Sequence, residues 1–259
     1  MECEKRRIAS IVGALVADAA AQPLHWNYNI DKLNDIIGNK EEIAFWEPSA
    51  NPFYCIPTGS QSCYGDQAFV ILKSLVDNHG LNVKNLQTAT YEAFGPNTSY
   101  DNKDNMEYKT KSDAEKKAFP IKSPWRHFSI KVFLQKYEQG SYDTGCDKDE
   151  QMDCVLRIIP VVALYAGRSD MLDRAEEVIR ITQNSDTSVA VGLAAARILE
   201  QYILFGDQSD VLETVIEELN NPNRSNPQDL DKALAGQLRE VLNSREIDHR
   251  TAAKKFRID

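Results

Sequence analysis

Apolar residues recur at three- and four-residue spacing through most of this chain, and the pattern predicts helices almost throughout. Ile8 to Ala21 forms one such run, ended by Pro23, and Ile30 to Ile37 a short one stopped by Gly38. Gln67 to Asn78 places Phe69, Val70, Leu72, Leu75 and Val76 at helical spacing. Val83 to Phe94 and Pro124 to Tyr137 carry weaker versions of the same signal. The longest runs follow: Glu150 to Ala166, Met171 to Thr182, Thr187 to Phe205, Asp210 to Leu219 and Leu230 to Asn243. Thr187 to Phe205 is apolar nearly all round, so it is expected at the centre of the core. Sustained strand alternation is absent. The pattern therefore predicts an all-α fold in one domain over residues 1–259, with loops at Lys40 to Tyr64 and Gly95 to Ser123.

Composition narrows the function classes. A hydrophobic content of 42% and a charged content of 27% are ordinary for a globular protein. A net charge of -9 argues against nucleic acid or an anionic membrane as partner, because both need a basic patch. The five cysteines (Cys3, Cys55, Cys63, Cys146, Cys154) show no paired spacing, and the four histidines are scattered, so no zinc pattern forms. The stretch Ile8 to Ala21 is too short to span a bilayer and is interrupted by Asp18. These features predict a cytoplasmic protein.

A few polar residues stand in apolar or helix-terminal contexts. Asp18 lies among alanines inside a helix, and a buried carboxylate needs a partner or a metal. A structural ion pair or a bond to a helix end accounts for it, and so does a site role. Arg157 sits between Leu156 and Ile158 with apolar neighbours on every side, and Asp18 or Asp153 is its expected partner. Asp66 opens a helix, either as a cap or as a cation ligand. In the second reading the helix N-terminus and the loop from Gly59 to Gly65 receive an anion such as a phosphate. Gln183 and Asn184 precede the most apolar helix, where capping explains the segment and ligand contact is the alternative. No nucleophile elbow, Walker loop or dinucleotide fingerprint appears.

Four blocks in order resemble the ADP-ribosylglycohydrolase family over residues 8–205. They are Gly13-Ala14-Leu15-Val16-Ala17-Asp18-Ala19-Ala20-Ala21-Gln22-Pro23, the corner Tyr64-Gly65-Asp66-Gln67, Arg157-Ile158-Ile159-Pro160 and Ile181-Thr182-Gln183-Asn184. Pro23-Leu24-His25-Trp26 and Pro124-Trp125-Arg126-His127 narrow the resemblance to the J-type crystallin branch. The resemblance implies an orthogonal multi-helix bundle. It also implies a cleft holding divalent cations and the ribose of ADP-ribose.

The departures touch that chemistry. Tyr64, Gly65 and Gln67 stand where the family's corner has Thr, Asp and Thr, which leaves Asp66 as the one metal-type carboxylate. His25 replaces an acidic residue and Gln183 a histidine, and nothing after Phe205 matches the family's second acidic segment. The expectation is a non-catalytic protein with no catalytic residue, structural or binding an ADP-ribose-like small molecule. Magnesium would be held weakly or not at all, with Asp66 as its ligand. Asp18, Gly59, Gly65, Asp66, Gln183 and Asn184 are the expected ligand contacts. The alternative is a divalent-metal-dependent hydrolase of ADP-ribosyl linkages. A domain short of the family's C-terminal helices is also expected, with self-association through the apolar surface they would cover.

Overall fold

In the computed structural model, residues 2–105 and 119–256 are described, and helices make up most of them. The middle of the predicted loop from Gly95 to Ser123, residue 1 and residues 257–259 lie outside the described residues. In chain order the helices are α1 (Glu2–Ala21), a 3-10 turn (Gln22–Leu24), α2 (Ile30–Ile37), α3 (Cys63–Asp77) and α4 (Val83–Phe94). They continue as α5 (Phe128–Glu138), α6 (Asp153–Tyr165), α7 (Met171–Arg180), α8 (Asp186–Phe205), α9 (Val211–Asn220), α10 (Asp231–Leu242) and α11 (His249–Phe256). Among the described residues no strand forms, and two isolated bridges pair Tyr54 with Ile121 and Cys146 with Gln183.

Helix α6 is the hub, packed by α1, α3, α7 and α8. Its residues Ile158, Val161 and Val162 are fully buried beside Ile71 of α3, Val178 of α7 and Leu193 of α8. The apolar helix α8 is also interior. Val189, Leu193, Ala196 and Ile203 join the main core, while Ala194 meets Val215, Leu219 and Ala235 of α9 and α10 in a second cluster. By length and composition α8 is long and apolar enough to cross a membrane, but half of that window is buried inside the fold.

Helix α1 begins six residues before the predicted start, because its charged first turns have partners across the fold. Arg6 donates to the carbonyls of Ile203 and Leu204, at 2.7 and 2.8 Å. Arg7 donates to the carbonyls of Ala163 and Ala166. These carbonyls sit at the C-termini of α8 and α6, where free acceptors and the helix dipole favour a cation. Helix α3 likewise starts earlier than predicted. Ser62 is its N-cap, accepting from the Tyr64 N–H at 3.2 Å, so the Tyr64 to Gln67 corner is the helix's first turn. Helix α11 lies outside the predicted elements, since His249 to Phe256 is mostly polar and its apolar residues are two alanines and Phe256.

Candidate functional site

The corner is built where α1 crosses the N-terminus of α3. The Ser62 N–H donates to Asp18 Oδ2 at 2.7 Å, and the Ser62 hydroxyl donates to Asp18 Oδ1 at 2.5 Å. The Gly65 backbone N–H also favours the charged carboxylate. Asp18 is thus the anion seated on the free N–H groups of α3. Burial nevertheless pushes its carboxyl up, and the bonds from Ser62 and the nearby His127 only partly offset that. The helix end expected to receive a ligand anion is filled from within the chain.

Gly65 makes this approach possible. A methyl group placed there would lie 2.0 Å from Gln61 Oε1 and 2.4 Å from Asp18 Oδ2. Asp66 turns elsewhere. Tyr100 donates its hydroxyl to Asp66 Oδ2 at 2.6 Å, and Asp66 lines a groove of about 560 Å³ between α3 and α4. Burial raises its carboxyl, Tyr100 lowers it, and the negative charge of Asp18 raises it, so the two carboxylates lie within electrostatic reach. Gly59 occupies a left-handed loop position with open space around it.

Gln67 leads into a buried polar network that replaces corner chemistry with structure. Its amide donates to Asp153 Oδ1, and its carbonyl accepts from Arg157 Nη1 at 3.1 Å. Arg157 also donates to the Val178 carbonyl at 2.8 Å. Its charge therefore reaches Asp153 through Gln67, not by a direct pair and not toward Asp18. Burial brings the Arg157 guanidinium down to about 10, against the pull of Asp153. The same Asp153 oxygen contacts His127 Nδ1 at 2.7 Å. Burial alone would raise the Asp153 carboxyl, but His127, Gln67 and Arg157 together hold it below the usual range. Its second oxygen, Oδ2, is buried without a partner.

Gln183 belongs to the same interior. Its amide donates to Asp149 Oδ1 at 2.7 Å and to the Gln151 carbonyl at 2.8 Å, and its Oε1 has no partner. Burial and the charge of Asp153 raise the Asp149 carboxyl. Asn184 points away from this set. It accepts from Arg180 and donates to Asp143 at 3.2 Å, on a separate surface groove. Asp18 and Gly65 therefore meet directly, Asp66 lies near them on the α4 side, Gln183 joins the Asp153 interior, and Gly59 and Asn184 stand apart.

An aromatic wall flanks the corner. Tyr64 meets the His127 ring edge-on at 4.3 Å, and Trp26 contacts His25, Phe53, Tyr54 and Trp125. Trp26 itself holds a left-handed backbone, with φ of 62°, which turns its ring into the cluster. His25, Trp26 and Tyr28 then line a groove of about 810 Å³ against the alanines at the end of α1. Burial and the charge of His127 depress the His25 imidazole to about 4, so it is neutral at physiological pH. Sequence reasoning missed Ser62, Tyr100 and Asp149. Ser62 alone had a readable signal, a helix-capping residue just before an apolar run.

The sequence matches the ADP-ribosylglycohydrolase family over residues 2–256. The chain belongs to this family. Crystallin J1A and crystallin J1B of Tripedalia cystophora are each 37% identical to it, over 215 and 220 residues. These matches cover 83% and 85% of this chain but 63% and 65% of the crystallins, so it spans just under two thirds of their length. A solved structure, an ADP-ribosylglycohydrolase-related protein complex, superposes with a TM-score of 0.56 over 94% of this chain and 77% of that one. At 15% identity that likeness shows the fold, an all-α bundle of the ADP-ribosylglycohydrolase type.

The family implies divalent cations at the corner, and these residues do not fit them. A hard cation needs about six oxygen ligands. Here Gly65 offers no side chain, both Asp18 oxygens already accept bonds from Ser62, and Tyr100 takes one oxygen of Asp66. Among the described residues no three His, Cys, Asp or Glu side chains group so as to hold a metal ion.

Proposed function

We propose that this ADP-ribosylglycohydrolase-family chain is a non-hydrolysing protein of the J-crystallin-like branch. Its remaining ligand site is the aromatic groove of His25, Trp26 and Tyr28, suited to an ADP-ribose-like nucleotide sugar. The observation that carries this reading is the bond pair from Ser62 to Asp18, which spends on packing a carboxylate that cation binding would need. Gln67 supports it further, because its amide is committed to Asp153 and Arg157. The groove's volume of about 810 Å³ and its aromatic lining residues suit a stacked base. Asp66 lines the separate groove between α3 and α4, with Tyr100 bonded to one of its oxygens, and this reading assigns it no ligand. Free Cys55 and the buried thiols of Cys63, Cys146 and Cys154 support a reducing, cytoplasmic setting.

The test is titration of ADP-ribose by calorimetry, with and without magnesium, beside an assay for ADP-ribose release from ADP-ribosylated arginine and serine. The expected result is weak binding that Trp26→Ala removes, with no release. Magnesium should leave the melting temperature unchanged, because a ligand of the native state would raise it. Magnesium-dependent release that is lost in Asp66→Ala would replace this reading with the metal-dependent hydrolase.

A further inference from the structure

The outward face of α1 carries no charge over three turns. Ile8, Val12 and Val16 stand 58%, 53% and 50% exposed, and Ala9, Gly13 and Ala17 form the exposed row beside them. Branched side chains exposed at this spacing make a ridge, and the small residues one position along make a groove. A methyl group on Gly13 would meet nothing within 4 Å, so the groove is open at its centre. The apolar surface continues on both sides. Beyond Ile8 lies a groove of about 460 Å³ walled by Leu72, Val76 and Leu164, and beyond Ala17 lies the groove carrying Ile43 and Tyr28.

We propose that this face is a homodimer interface, in which α1 of one copy packs antiparallel against α1 of a second. The face is self-complementary about a two-fold axis near Val12 and Gly13. Antiparallel pairing sets Ile8 opposite Ala17, Val12 opposite Gly13 and Val16 opposite Ala9 of the other copy, lowering each ridge into the other's row of small residues. Charge agrees with this register. Lys5 projects from α1 with most of its side chain in water, bonded to the equally exposed Glu2. In the antiparallel pair it lies opposite Ala20 of the second copy, whose groove is lined by the exposed Glu42. A parallel pair would instead place Lys5 against Lys5.

The area is sufficient. Twenty residues of helix extend about 30 Å. With its flanking grooves such a footprint covers on the order of 600–800 Å² per partner, within the range of stable dimers. The interface leaves out the Asp18 carboxylate and the Asp66 groove but adjoins the groove of His25, Trp26 and Tyr28, where a ligand would compete with the second copy. Association is therefore measured without ligand and is read apart from the ligand reading.

Sedimentation velocity over a concentration series tests it on the full chain. The expected result is a reversible dimer that Val12→Asp converts to monomer with unchanged far-UV circular dichroism. Lys5→Glu should weaken the dimer by roughly tenfold, and Lys5→Glu combined with Glu42→Lys should restore it. The double exchange guards against a variant that merely misfolds, because it recovers association by complementing a charge. A chain that stays monomeric at every concentration overturns the proposal, and so does a dimer indifferent to Val12→Asp.

Discussion

Ser62 holds both oxygens of Asp18, the N–H on Oδ2 at 2.7 Å and the hydroxyl on Oδ1 at 2.5 Å. One residue therefore caps α3 and docks α1 onto its first turn. Because the hydroxyl bond lowers the Asp18 carboxyl, Ser62→Ala should raise it further, and the lost cap should cost about 1 kcal/mol. Folded Asp18 already binds a proton more readily than its ordinary value of 3.8 implies. Its contribution to stability is thus present as pH falls toward 3.8 and lost as pH rises through the folded value. Denaturant melts at several pH values should show this slope steepening in Ser62→Ala. An unchanged slope would detach Asp18 from the cap.

Gly65→Ala sets two effects of opposite sign against each other. Removing a glycine from an exposed helix turn ordinarily gains up to about 1 kcal/mol. Here the added methyl would fall 2.0 Å from Gln61 Oε1 and 2.4 Å from Asp18 Oδ2, and such overpacking costs about 1–3 kcal/mol. The clash should win, because Asp18 is pinned by Ser62 and has no room to retreat. The expected outcome is a lower urea midpoint; a stabilised variant would mean that the α1–α3 contact is looser than its geometry.

The fold was legible in the sequence because its helices carry their own periodicity, and the order of blocks around Asp18, Asp66, Arg157 and Gln183 carried the family. The site was legible only as a list of residues. That Asp18 caps α3 depends on α1 crossing the chain 44 residues onward, a tertiary contact that no local pattern records. Arg157 showed the same limit: its sequence context demanded a partner, but the intermediate turned out to be Gln67, 90 residues away. Helix α8 lies inside as its composition predicts, with α9 and α10 covering Ala194, while an exposed apolar face lies on α1, whose pattern is masked by alanines.

Arg157→Met tests how much the buried network holds. The substitution keeps the apolar stem but leaves Gln67 Oε1 and the Val178 carbonyl without their donor. It also removes the cation that helps keep Asp153 ionised. Stranding buried polar groups in this way should cost about 2–5 kcal/mol, read as a fall in the urea midpoint at constant m-value. A change below 1 kcal/mol, on the order of a single surface contact, would show the network to be dispensable.

His25 provides the pH test, and its sign is opposite to that of Asp18. Burial holds the folded imidazole at about 4, below its ordinary 6.5, so between these values the unfolded chain binds the extra proton. Stability therefore rises with pH through this window and is lost progressively as pH falls from 6.5 toward 4. His25 is only partly enclosed, so solvent screening trims the effect below the full linkage value. His25→Phe keeps a ring against Trp26, whose centroid lies 4.8 Å away, while removing the titration. The variant's stability relative to wild type should increase steadily on acidification from pH 6.5 to 4, and Asp18, Asp66 and Asp149 cancel from that difference because both proteins carry them. Parallel pH profiles for the two proteins would mean that the His25 ring titrates normally, and that the aromatic groove is wetter than its packing against Trp26 and Tyr64 requires.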